Sequence, residues 1–284
     1  MKKILDQKLT LNNGVQIPAL GFGSYMIEDP IIGVNAIKYA LKIGYRLIDT
    51  ADFYKNHHIV AKAIQESGID RKDIFITSKI WRNIETDAEV VQAVERILKE
   101  LETDYLDLCL IHWPTPSSVN VYKGLEKLYK KGIIKAIGVS NFMKDQLQDF
   151  IQQVEVIPAV DQVELHPHLQ LDDLVQFAKS QNIKITSWQT IMKGKIGEVA
   201  EIKKLAQKYN VTPFQLALRW AYQRGIIIIP KSVHENRIFE NQDLDNFIIS
   251  DGDMQLIKSL DKNERHGLDP YAFGFTKAEG KYKI

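Results

Sequence analysis

The chain has 284 residues, with 37 basic against 36 acidic side chains and a formal net charge of +1. That balance leaves no electrostatic footprint for nucleic acid or for an anionic membrane surface. The basic start, Met1-Lys2-Lys3, is not followed by an apolar stretch of leader length, and the longest aliphatic run, residues 226–229, is too short to span a bilayer. The single cysteine, Cys109, lies inside an apolar strand, so a soluble, cytoplasmic protein without disulfides is expected. The length suits one domain over residues 1–284, a size that α/β barrels occupy.

In chain order, residues 8–19 read as a β-hairpin about the turn pair Asn13-Gly14. Strand and helix then alternate. Strands are predicted at 19–23, 46–49, 74–79, 106–111, 133–139, 159–164, 183–188 and 226–229. Helices are predicted at 30–43, 58–67, 87–101, 119–131, 144–153, 171–180, 196–209, 213–223 and 253–260. The 87–101 segment is the clearest, because Val90, Val94, Ile97 and Leu101 recur at helical spacing. Apolar strands separated by helices indicate a parallel sheet covered on its outside. Eight such units in one domain favour a closed (β/α)8 TIM barrel, with the hairpin at its amino-terminal end and an irregular carboxy-terminal tail over 267–284.

Three successive strands run out at ionisable residues: Asp49, Lys79 and His112, with Tyr54 just past the first. A carboxylate at the end of a buried strand is costly unless a cation pairs with it. Four such groups delivered to one rim suggest a proton-transfer site. The pair Asp49–Lys79 alone could be purely structural, and so could the strand-end histidine. The aromatics Phe22, Trp81 and Trp113, also at strand ends, could line a substrate pocket or be core. His166-Pro167-His168 invites a metal reading, but no supporting ligands stand at the other strand ends, and no metal is expected.

Taken in order, these motifs resemble the aldo-keto reductase family. The resemblance rests on Gly21-Phe22-Gly23, Asp49-Thr50-Ala51 with Tyr54, Thr77-Ser78-Lys79-Ile80-Trp81, and Ile111-His112-Trp113-Pro114. It continues through Gly138-Val139-Ser140-Asn141-Phe142, Asp161-Gln162-Val163-Glu164 with His166-Pro167, and Ile229-Pro230-Lys231-Ser232. The chain is most similar to the short-looped bacterial members, of the diketogluconate and methylglyoxal reductase kind. The resemblance implies reversible, NADPH-dependent reduction of aldehydes and ketones by a monomer acting on small molecules. An alternative is a barrel that senses nucleotide, or scaffolds, with little turnover. A metal-dependent barrel hydrolase is a third reading.

By the same resemblance Asp49, Tyr54, Lys79 and His112 are the catalytic tetrad. Hydride arriving at a carbonyl leaves alkoxide charge, which needs a proton donor and a group that steadies the oxygen. Tyr54 is the expected donor, with the Lys79 ammonium expected to lower its pKa and Asp49 to hold Lys79. His112 is expected to orient the substrate oxygen. The resemblance assigns Ser140, Asn141 and Gln162 to the nicotinamide carboxamide and Trp188 to the stacking position. It assigns Lys231, Ser232 and Arg237 to the 2′-phosphate, and Glu240 and Asn241 to the adenine. No Gly-x-Gly-x-x-Gly follows a strand, so a Rossmann site is not indicated. Two positions depart from the family pattern. Gln189-Thr190-Ile191 stands where Ser-Pro-Leu is usual, which puts the pyrophosphate contacts in question. His57 stands where a glutamate is common, and no chemistry is assigned to it.

Overall fold

The computed structural model describes residues 3–272. Strands β1 (Lys8–Thr10) and β2 (Gln16–Pro18) form the antiparallel hairpin, with Leu9 opposite Ile17. Its turn needs Gly14, whose φ of 86° would strain any residue with a Cβ. Eight parallel strands follow in one sheet: β3 (Phe22–Gly23), β4 (Leu47–Asp49), β5 (Phe75–Ile80), β6 (Leu108–Ile111), β7 (Ile137–Ser140), β8 (Val160–Glu164), β9 (Lys184–Trp188) and β10 (Ile227–Ile228). Each pairs with the next in sequence. The first and last meet through Gly21 N–H to Ile228 O at 2.8 Å and Ile228 N–H to Ala19 O at 3.1 Å, which closes the barrel.

Helices α1 (Pro30–Lys42), α2 (His57–Ser67), α3 (Asp87–Glu100), α4 (Ser118–Lys130), α5 (Lys144–Ile151), α6 (Asp172–Ser180), α7 (Ala200–Lys208), α8 (Pro213–Gln223), α9 (Glu235–Gln242) and α10 (Asp251–Lys258) complete the chain. Their starts are written locally. Asp29 caps α1 ahead of Pro30, and Thr86 with Glu89, and Thr212 with Gln215, form reciprocal caps on α3 and α8.

Two departures from the sequence reading concern helices. Helix α9 was not foreseen, because only Ile238 and Asn241 of its eight residues are buried and no side chain caps it. The helix expected over 196–209 begins instead at Ala200. Residues 192–198 before it are a kinked 3₁₀ segment, with Lys193 and Gly194 left-handed. Of the tail foreseen over 267–284, residues 273–284 lie outside the described residues, as do Met1 and Lys2.

The alternation of a strand assigns the two faces. Leu47, Phe75, Leu108, Leu110, Val160 and Ile227 form one cluster, the lower barrel interior, together with Leu11 and Ile17 from the hairpin. The hairpin therefore plugs the amino-terminal end. The residues on the opposite strand faces, such as Ile48, Ile76, Cys109, Val139 and Val163, join the larger layer under the helices. Continuing the inward series towards the carboxyl ends replaces apolar groups with polar ones: Leu47 gives way to Asp49, Phe75 to Lys79, Leu110 to His112, and Val160 to Gln162. The fold thus sets one polar rim on an apolar barrel.

Candidate active site

Lys79 has no exposed surface and Asp49 almost none, and they face each other across β5 and β4. The Lys79 ammonium donates to Asp49 Oδ1 at 2.5 Å, to Thr50 O at 3.0 Å and to the Tyr54 hydroxyl at 3.4 Å. Burial lowers the Lys79 pKa, and the Asp49 carboxylate works against that. Tyr54 sits on a 3₁₀ turn, Asp52–Tyr54, directly after β4. Asn56 braces this turn: its amide donates to Ser24 O at 2.8 Å and its oxygen accepts from Thr50 Oγ1 at 2.8 Å. Arg96 of α3 holds Asp52 at 2.9 Å from outside.

The expectation that Lys79 lowers the Tyr54 pKa is not met. Burial, followed by the charge of Asp49 and the neighbouring Tyr25, pushes it well above the usual phenol value. Burial and the Asp49 carboxylate both disfavour the phenolate, so Tyr54 is held protonated. It can still act as an acid, because an alkoxide is far more basic than a phenolate.

His112 follows β6 and is buried with its ring 5.7 Å from that of Tyr54, nearly perpendicular. Desolvation, then Lys79, pushes its pKa well below the usual value, so the ring is neutral. Among the described residues its Nδ1 is buried without a hydrogen-bond partner. The tautomer protonated on Nε2 avoids burying an unpaired donor there. Trp81 packs edge-on to His112 at 5.1 Å and stacks on Phe53 at 4.0 Å, while Trp113 lies between His112 and Trp188 at 6.5 Å from each. Tyr25 adds a ring 5.0 Å from Tyr54. The structure therefore brings Trp81 and Trp113 to the expected tetrad and adds Tyr25 and Phe53, which the strand-end rule missed because they lie in a turn and on the 3₁₀ turn 52–54 rather than at strand ends. Phe22 is different. It pairs with Ile48 rather than Asp49, faces the helical layer, and packs edge-on against Tyr45 with 1% exposure. It is core, and Gly23 takes the inward position.

The residues assigned to the nicotinamide end are joined to the tetrad. Gln162 Nε2 donates to Asp49 Oδ2 at 2.8 Å, and Ser140 Oγ donates to Gln162 O at 2.6 Å. Asn141 is left-handed, φ 65°, a conformation that asparagine tolerates. Its amide donates to His112 O at 2.9 Å, and its oxygen accepts the Trp188 indole N–H at 2.9 Å. At the other end, α9 carries Arg237 exposed, Glu240 accepting from Thr212 Oγ1 at 2.6 Å, and Asn241 buried. Ser232 is buried beside them, accepting the His234 N–H at 3.1 Å. Lys231 has its pKa lowered by partial burial, and among the described residues no carboxylate pairs with it. An incompletely solvated, unpaired cation of that kind suits an anionic ligand. After Trp188, Gln189, Met192, Lys193 and Gly194 all have positive φ, and Gln189 Oε1 is buried without a partner. Strained backbone of this kind collects at functional sites. His57, to which no chemistry was assigned, bridges Glu100 at 2.8 Å and Ser78 at 3.0 Å, tying the start of α2 to α3 and to the strand of Lys79. Among the described residues no cluster of three or more His, Cys, Asp or Glu is arranged to hold a metal.

Residues 19–262 match the model of the Aldo/keto reductase family. The chain belongs to this family. It is 41% identical to the glyoxal reductase of Bacillus subtilis over 95% of this chain and 98% of that protein. It is 38% identical to the methylglyoxal reductase DkgA of Escherichia coli K12, over 94% and 98%. Among solved structures, an aldo-keto reductase from a Medee basin deep-sea metagenome library superposes with a TM-score of 0.90 at 34% identity, covering 96% of this chain and all of that one. The Bombyx mori aldo-keto reductase, solved in complex with NADP, gives 0.88 at 27% identity over 95% and 97%. The protein is accordingly an oxidoreductase acting on carbonyl groups, with a (β/α)8 fold.

Proposed function

We propose that the protein reduces aldehydes and ketones to alcohols with NADPH, that Tyr54 is the proton donor, and that a single chain suffices. The observation that carries this is the Tyr54 hydroxyl 3.4 Å from a fully buried Lys79 that is itself paired to Asp49, beside a neutral His112. Bound NADPH would supply the hydride. Ser140, Asn141 and Gln162 would hold its carboxamide, Trp188 would stack on its ring, and Lys231, Ser232 and Arg237 would grip the 2′-phosphate, with Glu240 and Asn241 at the adenine. The departure at Gln189 leaves the pyrophosphate to backbone donors of the loop 189–195, to which Lys193 and Lys195 add exposed cations.

The chain's own residues account for the remaining chemistry. His112 donates to the substrate oxygen and sets its direction. Tyr54 gives that oxygen a proton as negative charge builds on it. The Lys79 ammonium steadies the resulting phenolate, and Asp49 with Gln162 keeps Lys79 in place. Trp81, Trp113, Phe53 and Tyr25 exclude water around the reacting carbonyl. The names of the relatives suggest small dicarbonyls such as glyoxal and methylglyoxal as first substrates. Steady-state loss of NADPH absorbance across a panel of aldehydes and ketones tests the proposal. Turnover with at least one small aldehyde is expected, and Trp81→Ala should change kcat/KM unequally across the panel. Tight NADPH binding with no turnover of any carbonyl would favour the nucleotide-sensing alternative.

A further inference from the structure

Glu164 has no part in the chemistry above, yet it is among the most heavily engaged carboxylates in the protein. It ends β8, directly beside Trp188 in the ladder, and its side chain has no exposed surface. Its partners come from a distant segment: the His266 N–H reaches Oε1 at 2.7 Å, and the Gly267 N–H lies 3.0 Å from Oε2 and 3.1 Å from Oε1. His166 Nε2 donates at 3.2 Å and Arg265 Nη1 lies 3.6 Å away. Burial pushes the Glu164 pKa up, but the His166 hydrogen bond and the two amides outweigh it and hold the carboxyl below its usual value. Glu164 is thus a buried anion satisfied mainly by backbone. A second grip lies nearby, where the Lys262 and Glu264 N–H groups donate to His168 O at 3.1 and 2.9 Å. Residues 262–267 form a strap tied down at two points.

The strap presses on Trp188. A Cβ added to Gly267 would stand 2.4 Å from Trp188 Cη2, 3.0 Å from Cζ3 and 2.9 Å from Glu164 Oε2. Gly267 is not among the glycines with positive φ, so contact rather than backbone conformation excludes a side chain there. At the indole nitrogen the same ring is held by Asn141 Oδ1 at 2.9 Å. We infer that Glu164 and Gly267 are positioning residues for the nicotinamide. Glu164 pins the strap, the strap sets the plane of the Trp188 indole, and the indole fixes both the stacking surface and the orientation of the Asn141 amide. The inference rests on the cofactor reading above.

The test is a mutant cycle read by NADPH dissociation constants. Gly267→Ala should weaken NADPH about tenfold, within the coupling range of side chains in contact. Phenylalanine lacks the Cη2 and Cζ3 atoms that the new methyl would meet. In a Trp188→Phe background the same exchange should therefore cost less than about threefold, again on the scale of that coupling. Glu164→Gln, which loosens the strap without adding bulk, should weaken NADPH in the wild-type background and much less in Trp188→Phe. This second variant keeps the test open should Gly267→Ala fail to fold. Equal losses in both backgrounds, or none in either, would overturn the inference. Trp188 emission, taken as the difference from Trp188→Phe, is read in nucleotide-free protein. A shift in Gly267→Ala supports the clamp, and an unchanged emission overturns it. Failure of the wild type to bind NADPH would instead strike the cofactor reading, with the emission measurement still judging the clamp.

Discussion

At the scale of single residues, the site depends on where each proton resides. Burial and Asp49 push the Tyr54 pKa up, which keeps the phenol protonated, as the proposed proton donor requires. Tyr54→Phe should lower kcat by at least ~100-fold, the scale of a general-acid contribution, while NADPH affinity, followed by quenching of tryptophan fluorescence, stays within about twofold because no charge is removed. Near-normal turnover would remove Tyr54 from the donor role. A second buried acid lies on the other face of β8. Asp161 is fully buried, and neither carboxyl oxygen has a partner of normal hydrogen-bond geometry, although the Phe142 N–H is near enough to oppose the shift. Desolvation raises its pKa well above the usual carboxylate value. The unfolded chain ionises near pH ~3.9, whereas the folded chain keeps the proton to higher pH. The stability therefore present at low pH is lost as pH rises from the unfolded towards the folded pKa, at up to ~1.4 kcal/mol per pH unit, and then levels off. Asp161→Asn carries no such linkage. Its denaturation midpoint should match the wild type near pH ~4 and exceed it above neutrality. A pH-independent difference between the two proteins would contradict this account.

At the scale of elements, legibility followed burial. Strands whose inner faces start apolar and end on an ionisable residue, such as β4 and β5, declared both their type and their candidate site residues. Helix α9 did not, because its residues are mostly solvated and its place is fixed by tertiary contacts, among them Tyr45 Oη to Ile238 O at 3.0 Å. Phe22 stayed open between pocket and core for a related reason: in a strand of only two residues, nothing local says which neighbour faces inward. The direction of the Tyr54 shift was also beyond the sequence, since it depends first on how deeply the fold buries the phenol and then on the Asp49 charge beside it. Helix α9 nonetheless carries both Arg237 and Glu240, a few residues after Lys231 in the chain. A 2′-phosphate carries close to two charges, and arginine can grip it with parallel hydrogen bonds. On the proposed cofactor reading, exposure limits the useful total to a few kcal/mol, and the expected NADPH preference over NADH is on the order of 100-fold. Arg237→Ala should remove roughly tenfold of that preference and leave NADH binding nearly unchanged, with the gap shrinking as salt rises. Equal losses for the two nucleotides would show that Arg237 does not read the phosphate.

At the scale of the molecule, the barrel keeps its apolar plug and its candidate active site at opposite ends. The rim holds Asp49, Lys79 and His112, whereas the amino-terminal end is filled by apolar side chains and closed by the hairpin. Ile17 of β2 is 1% exposed and belongs to the same cluster as Leu47, Leu108 and Ile227 inside the barrel. Truncating it removes buried methylene surface and leaves a cavity that the surrounding strands, held in register by their ladders, can only partly fill. Ile17→Ala should therefore cost about 2–5 kcal/mol, which for a domain of this size lowers the melting temperature by on the order of 5–15 °C. The hairpin packs into the amino-terminal end of the barrel, away from the rim, so the geometry about Tyr54 and Lys79 should persist below the transition. Steady-state assays well under the melting temperature should then return a kcat and an NADPH dissociation constant within about twofold of wild type, as for sites too distant to couple. A large loss of kcat in a variant that is still folded would mean that the plug at one end of the barrel sets the geometry of the other.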